Sequence, residues 1–269
     1  MREPTVSVVI ATHFRDELLR RALESAVTQT RPPLEVRVVD DTNRPETAEI
    51  VRGVAARTDV EVIYLPRDSF SSAKSYNLGV RTARGEVVAL LDDDDAWERE
   101  YLEKGIARMV ETGADLVITH LTRVDKEGRK SPGKRVGPIF HLDEWLLRNP
   151  GLIASNLIVR TECFRDVGYM DEHLPTSCDR DLMIRWWKAG YTYAVQDDPL
   201  VLFSVFTTGL TRGKLWRIQL SRLKFLQKYK EDATLQVRLR LYKKIAHTLL
   251  SDSYRALKAR LGLRPAAGR

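Results

Sequence analysis

Short valine-rich runs alternate with stretches of helical spacing through the first third of the chain, and this alternation limits the folds open to it. Residues 6–10, 36–39 and 87–91 are strand-length runs rich in valine, isoleucine or leucine, and residues 16–29 carry apolar side chains every three or four positions. Parallel neighbours in a sheet need a crossover connection, usually a helix. The alternation therefore predicts an α/β fold with right-handed crossovers and a mostly parallel, doubly wound sheet that carries helices on both faces.

The other predicted elements follow from the same periodicities and from turn residues. The first half should also contain helices at 45–57 and 71–84, with Gly85 capping the second of them, and a strand at 61–65. In the less regular second half we predict strands at 115–124, 154–160 and 191–195, and helices at 142–148, 161–166 and 179–189. Beyond Arg212 the pattern is helical to about Leu261, with a break near Glu231. We therefore predict one α/β domain over residues 1–211 and a helical extension over residues 212–269.

The positive charge of the chain is concentrated in the predicted extension. Residues 211–269 hold 16 lysines and arginines against 3 aspartates and glutamates, a balance of +13, whereas the whole chain carries +7. Such a segment is typical of a contact with a membrane surface or a nucleic acid, and a solvated helical face explains it as well. Nucleic acid is disfavoured because no aromatic-and-basic recognition motif accompanies the charge.

Apolar residues also recur at helical spacing among the cations of the extension, at Leu235, Leu239, Tyr242, Ala246 and Leu249. A helix of this kind could lie on an anionic membrane, and packing on the α/β domain or on a second copy of the chain would explain it equally. No apolar run approaches the roughly 18 residues that span a bilayer, and the N-terminus lacks a signal-peptide pattern. We therefore expect a cytoplasmic protein, at the inner face of the membrane if the extension binds lipid.

Polar residues follow three of the predicted parallel strands, at Thr12 to Arg15, Asp40 to Asn43 and Asp92 to Asp95. The carboxyl ends of parallel strands meet at one edge of the sheet, where ligands bind. The four aspartates repel one another unless a cation lies among them, and hard divalent cations prefer oxygen ligands. The pattern indicates a nucleotide site that includes a metal ion. It does not indicate a glycine-rich phosphate-binding loop, because these strand ends lack the glycine spacing of one. The last aspartate, Asp95, is also placed to cap the next helix.

Several short motifs together resemble glycosyltransferase family 2, which has the GT-A fold, a Rossmann-like wound sheet. The motifs occur in the family's order between about Thr5 and Thr211. They are Ser7 to Arg15, Ser25 to Thr30, Val38 to Asp41, Asn77 to Gly79, Gly85 to Val88, Leu91 to Trp97, Val167 to Glu172 and Asp179 to Arg185. The resemblance implies a nucleotide-sugar-binding half at 1–97 and an acceptor-binding half at 98–211.

The activity that the resemblance implies is an inverting, metal-dependent sugar transfer. The donor would be a nucleotide-diphosphate sugar, most often a UDP-sugar. The acceptor would be a hydroxyl group on a glycan or a lipid-linked glycan, in polysaccharide, cell-envelope or glycoconjugate synthesis. The resemblance leaves the sugar, the linkage and the oligomeric state open.

The resemblance also implies roles for individual residues. Asp94 would be the direct ligand of Mn²⁺ or Mg²⁺, with Asp92 as the other aspartate of the family's D-x-D motif and Asp93 against the ribose. Asp179 aligns with the catalytic base, which takes the proton of the acceptor hydroxyl, and a helix N-cap role is compatible with this. Asp41 would read the nucleobase, with an Asx turn as the alternative. The other residues expected to contact the nucleotide sugar are Ala11, Thr12, His13, Arg15, Arg67 and Lys74.

The chain departs from the family pattern at several of these positions. His13 stands where the family commonly has tyrosine, and Phe14 where it has asparagine. Tyr76 replaces an arginine, and residues 205–208 hold no counterpart of a histidine that completes the metal shell in many relatives. These departures motivate a second hypothesis, an inactive nucleotide-sugar-binding partner in a glycan assembly complex. A nucleotidyltransferase is disfavoured because the first strand is not followed by a glycine-rich basic loop.

Overall fold

The computed structural model of the chain describes residues 3–68, 70–206 and 215–260, and in the last of these ranges it describes the side chains of residues 218–248. The described residues form two compact units. The larger unit holds residues 3–140 apart from 69, together with 149–173 and 178–206, and the smaller holds 141–148, 174–177 and 215–260. The predicted domain boundary at residue 211 lies outside the described residues.

The first half of the larger unit has the predicted alternation of strands and helices. Its strands are β1 Val6–Thr12, β2 Glu35–Asp40, β3 Glu61–Pro66 and β4 Val87–Asp92, and its helices are α1 Asp16–Val27, α2 Pro45–Ala55 and α3 Ser72–Thr82. The four strands are parallel in the order β3-β2-β1-β4. Their register places Thr12 opposite Asp40 and Ala11 opposite Asp92, so the polar strand ends lie along one edge of the sheet. The predicted α/β fold is thereby confirmed.

The second half extends the same sheet with strands of mixed direction. The elements, in chain order, are β5 Ala96–Trp97, α4 Tyr101–Thr112, β6 Leu116–Val124, β7 Lys130–Pro132, α5 Leu142–Leu147, a 3₁₀ turn at Ala154–Asn156, β8 Leu157–Arg160, α6 Thr161–Asp166, α7 Cys178–Lys188 and β9 Tyr193–Ser204. The sheet order is β3-β2-β1-β4-β8-β6-β9-β5, with β7 paired to β6. Strand β8 is antiparallel to both β4 and β6, and β9 is parallel to β6. The small strand β5 is antiparallel to β9 and fixes the segment directly after the aspartates.

Two expectations about these elements are wrong. Strand β9 continues to Ser204 rather than ending at Val195, because the chain passes through its polar stretch by a register shift against β6 between Thr119 and Leu121. Gly85 does not cap α3, which ends at Thr82. A Cβ at Gly85 would lie 2.4 Å from the backbone nitrogen of Ser7, so glycine is needed there for the close approach of two chain segments.

The core of the larger unit lies between the parallel strands and their crossover helices. Strands β1 and β2 are buried along their whole length and β4 as far as Leu91, and the apolar stripe of α1 packs in the same cluster. Helix α3 approaches the sheet closely at Gly79, where a Cβ would lie 2.2 Å from a methyl group of Val9. This close packing fixes α3 against the middle of β1.

The smaller unit is helical. It contains α5 and two further helices, α8 Leu215–Lys228 and α9 Leu235–Arg260, which flank the break expected near Glu231. Its described buried side chains are mostly apolar and include Trp145, Leu146, Phe225, Leu226, Tyr229, Ala233, Val237, Leu241 and Ile245. None of the helices in the described ranges combines the length and apolar character needed to cross a membrane.

Candidate active site

The four aspartates after β4 divide into a buried pair and an accessible pair. Asp93 and Asp95 are buried, whereas Asp92 and Asp94 are only partly covered. A buried carboxylate is stable only when protein donors satisfy it. The two pairs therefore differ in how far the protein surrounds their carboxylates, as their contacts show.

Asp93 ties the end of β1 to the aspartate cluster. Its carboxylate accepts hydrogen bonds from the hydroxyl of Thr12 at 2.8 Å, the backbone nitrogen of His13 at 3.0 Å and Arg15 at 2.7 Å. Burial raises the pKa of Asp93, and these donors act against the rise. The carboxylate is thus engaged by the protein, and its contact with the ribose stays a prediction.

Asp95 is held equally firmly, and its expected role as a helix cap is wrong. Its carboxylate accepts from the Ser155 hydroxyl at 2.6 Å and from the backbone nitrogen of Ser204 at 2.9 Å. Helix α4 begins six residues later, at Tyr101, with Glu100 as the preceding residue. Asp95 therefore joins the aspartate cluster to β9 and to the 3₁₀ turn.

Asp92 is the more enclosed of the accessible pair. The Tyr76 hydroxyl donates to the Asp92 carboxylate at 2.8 Å, and the backbone nitrogen of Asp92 donates to the Ser155 hydroxyl at 3.0 Å. Burial and then the charge of Asp94 raise the pKa of Asp92 to about 7. Two neighbouring carboxylates that repel each other in this way are stabilised by any cation placed between them.

Arg15, which precedes α1, and Arg21, in the middle of α1, hold Asp94 and its loop. Arg15 contacts the carboxylates of both Asp93 and Asp94, at 2.7 and 2.9 Å. Arg21 donates to the backbone oxygen of Asp94 at 2.5 Å and to the Ser204 hydroxyl at 2.7 Å. The position of the loop therefore depends on α1 and β9 as well as on β4.

The segment after the aspartates is anchored by Ser155 and by polar residues of the motif at Ser25 to Thr30. The indole nitrogen of Trp97 donates to the Ser155 backbone oxygen at 2.7 Å, and its backbone nitrogen donates to the Ser25 hydroxyl at 3.1 Å. The Gln29 side chain donates to the backbone oxygen of Glu98 at 3.0 Å. These bonds explain the motif: its side chains fix the loop that carries Asp94.

The donor set of Asp92 and Asp94 fits a hard divalent cation. In the described part of the chain no group of three or more histidine, cysteine or acidic residues is arranged to hold a metal, so these two carboxylates would be its protein ligands. Mg²⁺ is commonly bound by one or two carboxylates together with substrate phosphates and water. The mutual repulsion of the two carboxylates is the feature of the structure that favours a cation here.

The end of β2 places Asp41 against His13. The Nδ1 atom of His13 lies 2.6 Å from the Asp41 carboxylate, and burial raises the pKa of Asp41 while His13 acts against the rise. The rings of Phe14 and Phe70 meet the imidazole edge to face, with centroids at 4.7 and 5.6 Å. Both phenylalanines are more than half exposed, and both have a positive φ that bulky residues rarely adopt. Asp41 therefore lies beside exposed aromatic surface.

Asp40 differs from its neighbour because it closes the loop after β2. It accepts from the backbone nitrogens of Thr42 and Arg44 and from the hydroxyl of Tyr64. Burial alone would raise the pKa of Asp40, but these hydrogen bonds outweigh it and lower the pKa. The Asx-turn geometry considered for this strand end thus belongs to Asp40, and Asp41 is left to face His13.

The other residues expected around the nucleotide sugar lie at the same strand ends. Arg67 follows β3, its charge counters the raised pKa of Asp41, and its buried Nε atom has no hydrogen-bond partner among the described residues. Lys74 is in the first turn of α3, where its backbone nitrogen donates to the capping Ser71 hydroxyl. Ala11 is buried in β1 beside Asp92. Their contacts with a ligand stay predictions.

Asp179 is the second residue of α7, so it lies in the first turn rather than at an N-cap. Its carboxylate is partly covered and accepts from the backbone nitrogen of Arg180 at 2.8 Å. Burial raises the pKa of Asp179, as it does for the neighbouring Cys178 thiol. The charge of Asp92 also contributes to the raised pKa of Cys178, so Cys178 lies within electrostatic reach of Asp92.

The loop before α7 is held by two side chains of the resemblance motifs. The Asn77 amide donates to the backbone oxygen of Met170 and accepts from its nitrogen, both at 2.9 Å. Arg185 donates to the backbone oxygens of Val167 and Tyr169 and pairs with the buried Asp181 at 2.8 Å. These contacts connect α3, which also carries Tyr76, to the helix that carries Asp179.

Sequence reasoning missed four residues that shape this site: Tyr76, Ser155, Arg21 and Ser204. The sequence showed that Tyr76 replaces an arginine of the family, but it did not predict the hydrogen bond from Tyr76 to Asp92. No sequence signal identified Ser155, which lies 63 residues from Asp92 along the chain. Arg21 and Ser204 contact the loop from helix and strand positions that carried no motif.

Residues 7–168 match the family described as Glycosyl transferase family 2. Among the relatives are Glycosyltransferase AglE of Haloferax volcanii, 28% identical over 199 residues, and the succinoglycan biosynthesis protein ExoO of Rhizobium meliloti, 31% identical over 167 residues. These alignments cover 72% and 62% of this chain, and the chain spans 65% of the length of AglE and 46% of that of ExoO.

Two solved structures have a similar fold. The mannosyltransferase PcManGT of Pyrobaculum calidifontis, in complex with GDP-Man and Mn²⁺, has a TM-score of 0.65 at 18% identity, over 98% of this chain and 81% of that one. S. aureus TarS 1-349, in complex with UDP-GlcNAc, has a TM-score of 0.63 at 21% identity, over 92% and 73%. The chain therefore belongs to glycosyl transferase family 2 and has the GT-A fold.

Proposed function

We propose that this protein is an inverting, metal-dependent glycosyltransferase that moves a sugar from a nucleotide-diphosphate sugar to a hydroxyl acceptor. The observation that carries the proposal is the division of the aspartate cluster. Asp93 and Asp95 are buried against protein donors, whereas Asp92 and Asp94 remain partly accessible at the end of β4, with Cys178 of α7 within electrostatic reach. The names of relatives such as ExoO support a role in polysaccharide, cell-envelope or glycoconjugate synthesis.

Asp92 and Asp94 would hold the divalent cation, Mn²⁺ or Mg²⁺, together with the donor diphosphate. When bound, the cation supplies the positive charge that stabilises the leaving nucleoside diphosphate. The protein fixes the two carboxylates through Tyr76 and Arg15. Arg67 and Lys74 are the further cations that we assign to the diphosphate.

Asp41 would recognise the nucleobase, with His13 and the exposed rings of Phe14 and Phe70 as its stacking surface. Aromatic faces stack on bases of any kind, whereas a carboxylate selects for an N–H donor on the base edge. Uracil and guanine both offer such a donor, and we favour a UDP-sugar because it is the donor that the family resemblance most often implies. The solved relatives include complexes with both UDP-GlcNAc and GDP-Man, so the donor assay has to include both nucleotides.

Asp179 would act as the general base. It accepts the proton of the acceptor hydroxyl while that oxygen attacks the anomeric carbon, and a single displacement inverts the anomeric configuration. Burial raises the pKa of Asp179, which makes its carboxylate a stronger base than an exposed one. Asn77 and Arg185 hold the loop that leads to it.

The proposal is tested by the release of nucleoside diphosphate from a panel of UDP- and GDP-sugars with Mn²⁺ and candidate glycan acceptors. Asp94→Asn and Asp179→Asn should each lower turnover about a hundredfold or more while the fold survives. Asp198→Asn, which removes an exposed partner of Lys104, is the matched control and should be silent. Full activity of both site variants would refute the assigned roles.

The same experiment separates the second hypothesis, an inactive nucleotide-sugar-binding partner. The replacement of the family's arginine by Tyr76 is the observation that favours it. Calorimetry that showed UDP binding without turnover on any acceptor would establish that reading instead. For the active enzyme we place the reaction in the cytoplasm, with a lipid-linked acceptor drawing the protein to the inner face of the membrane.

A further inference from the structure

Helix α9 has two stripes of apolar side chains, and only one of these stripes is buried. Val237, Leu241 and Ile245 are buried. Leu235, Leu239 and Tyr242 form the other stripe and are 65%, 53% and 56% exposed. The second stripe is the part of the helical pattern that the sequence singled out. Packing inside the smaller unit does not cover it.

The exposed stripe forms one wall of a groove between α9 and α8. The groove has a volume of about 450 Å³, and its residues are Leu223, Leu226, Gln227, Lys230, Leu235, Arg238, Leu239 and Tyr242. Leu220, also exposed, precedes Leu223 by one helical turn on α8. The apolar surface is therefore contributed by both helices, as a continuous strip rather than as scattered single residues.

Two cations, Lys230 and Arg238, line the groove, and Arg240 and Lys243 are exposed on the helix that carries the stripe. Among the described residues, Arg238, Arg240 and Lys243 have no ion pair, and Lys230 has only the adjacent Glu231 at 3.6 Å. The buried Nε atom of Arg238 also has no hydrogen-bond partner within the described ranges. Exposed leucines beside unpaired cations match the boundary between the acyl chains and the anionic headgroups of a bilayer.

The positive charge beside the strip distinguishes the three partners that could cover it, which are a second copy of the chain, a nucleic acid and a membrane. A second copy would meet it through a two-fold contact that brings the same cations together. A nucleic acid would match the cations and leave the leucines in water. We propose that the face of α8 and α9 formed by these leucines, Tyr242 and these four cations docks on a membrane that contains anionic lipid. This inference does not depend on the proposed sugar transfer.

The experiment is flotation of the full chain with vesicles of phosphatidylcholine, with and without an equal part of phosphatidylglycerol. The protein should float with the anionic vesicles and separate from them as salt is raised. Replacing the three cations together, Arg238→Gln with Arg240→Gln and Lys243→Gln, should weaken binding by about tenfold or more. The matched control removes the same charge from the larger unit through Arg52→Gln, Lys126→Gln and Arg135→Gln, and should bind as the parent does.

The apolar half of the face is tested by Leu235→Ser with Leu239→Ser, which should also weaken binding about tenfold. Both side chains are exposed, so the fold should survive, as circular dichroism would show. Val110→Ser with Ile139→Ser, at exposed positions of the larger unit, is the control pair. Two results would overturn the proposal: no flotation with anionic vesicles, or a dimer by light scattering that the Leu235 and Leu239 changes dissociate.

Discussion

Replacing Ser155 by alanine removes the hydroxyl that connects the aspartate cluster to the 3₁₀ turn. Ser155 is fully buried, and its hydroxyl donates to Asp95 at 2.6 Å and accepts from the backbone nitrogen of Asp92 at 3.0 Å. The variant would lose one hydrogen bond to a buried carboxyl group and leave one backbone N–H without an acceptor. A buried polar group that loses its partner costs about 1–3 kcal/mol. We therefore expect Ser155→Ala to lower the free energy of unfolding by about 2–4 kcal/mol.

Urea unfolding of the parent and the variant would measure this loss, and Mn²⁺ binding would report on the site itself. Because the hydroxyl fixes the backbone of Asp92, Mn²⁺ affinity should fall by about tenfold. Thr82→Ala, which removes an exposed helical hydroxyl, is the control and should change stability by less than about 0.5 kcal/mol. If Ser155→Ala unfolded like the parent and bound Mn²⁺ with unchanged affinity, the described hydrogen-bond network would not hold the cluster.

Three further changes have outcomes that the structure specifies. Burial alone would raise the pKa of Glu35, but hydrogen bonds from an arginine and a serine hold the pKa at about 2. This carboxylate therefore stabilises the fold above pH 4.5, and the stabilisation is lost as the pH falls towards 2. Glu35→Gln should therefore lose about 2–3 kcal/mol at pH 7, and its deficit in urea unfolding should shrink below pH 4.5; a deficit independent of pH would contradict this. Gly79→Ala would place a Cβ 2.2 Å from a valine methyl group and should destabilise the fold by about 1–3 kcal/mol, measured through a lower thermal unfolding midpoint. Gly53→Ala, with open space around it, is the control and should be neutral or stabilising. Tyr76→Phe removes a buried donor to Asp92, so it should lower the free energy of unfolding by about 1–3 kcal/mol and weaken Mn²⁺ binding, measured by electron paramagnetic resonance, about tenfold; unchanged affinity would remove Tyr76 from the site.

The parallel half of the fold was predictable because each strand there is rich in valine, isoleucine or leucine and is followed by polar residues. Strands β1, β2 and β4 end where the sequence places Thr12, Asp40 and Asp92, and their parallel register brings these ends together. The second half gave a weaker signal. In β9 the residues Asp197 to Pro199 interrupt the apolar pattern, so the local sequence is typical of a turn while pairing with β6 keeps the chain in the sheet.

The site was predictable as far as neighbouring residues determine it. The motif order assigned the metal to Asp92 and Asp94, which stays a prediction, and the structure shows that these two carboxylates are less buried than Asp93 and Asp95. The partners of the buried aspartates could not be derived, because Ser155 and Ser204 lie 60 and 109 residues from Asp95 along the chain. Only the folded sheet brings β9 and the 3₁₀ turn against the end of β4, and this arrangement showed that Asp95 is not a helix cap.

The central claim is that Asp92 and Asp94, and not the buried pair, hold the metal of a nucleotide-sugar site. A crystal of the protein grown with Mn²⁺ and UDP, with diffraction data that identify manganese by its anomalous signal, tests it most directly. We predict one manganese peak at bonding distance from the carboxylates of Asp94 and Asp92, with Asp93 and Asp95 still on their protein donors and the uracil beside Asp41. A manganese peak bound by Asp93 or Asp95, or a nucleotide bound away from this strand edge, would contradict the account.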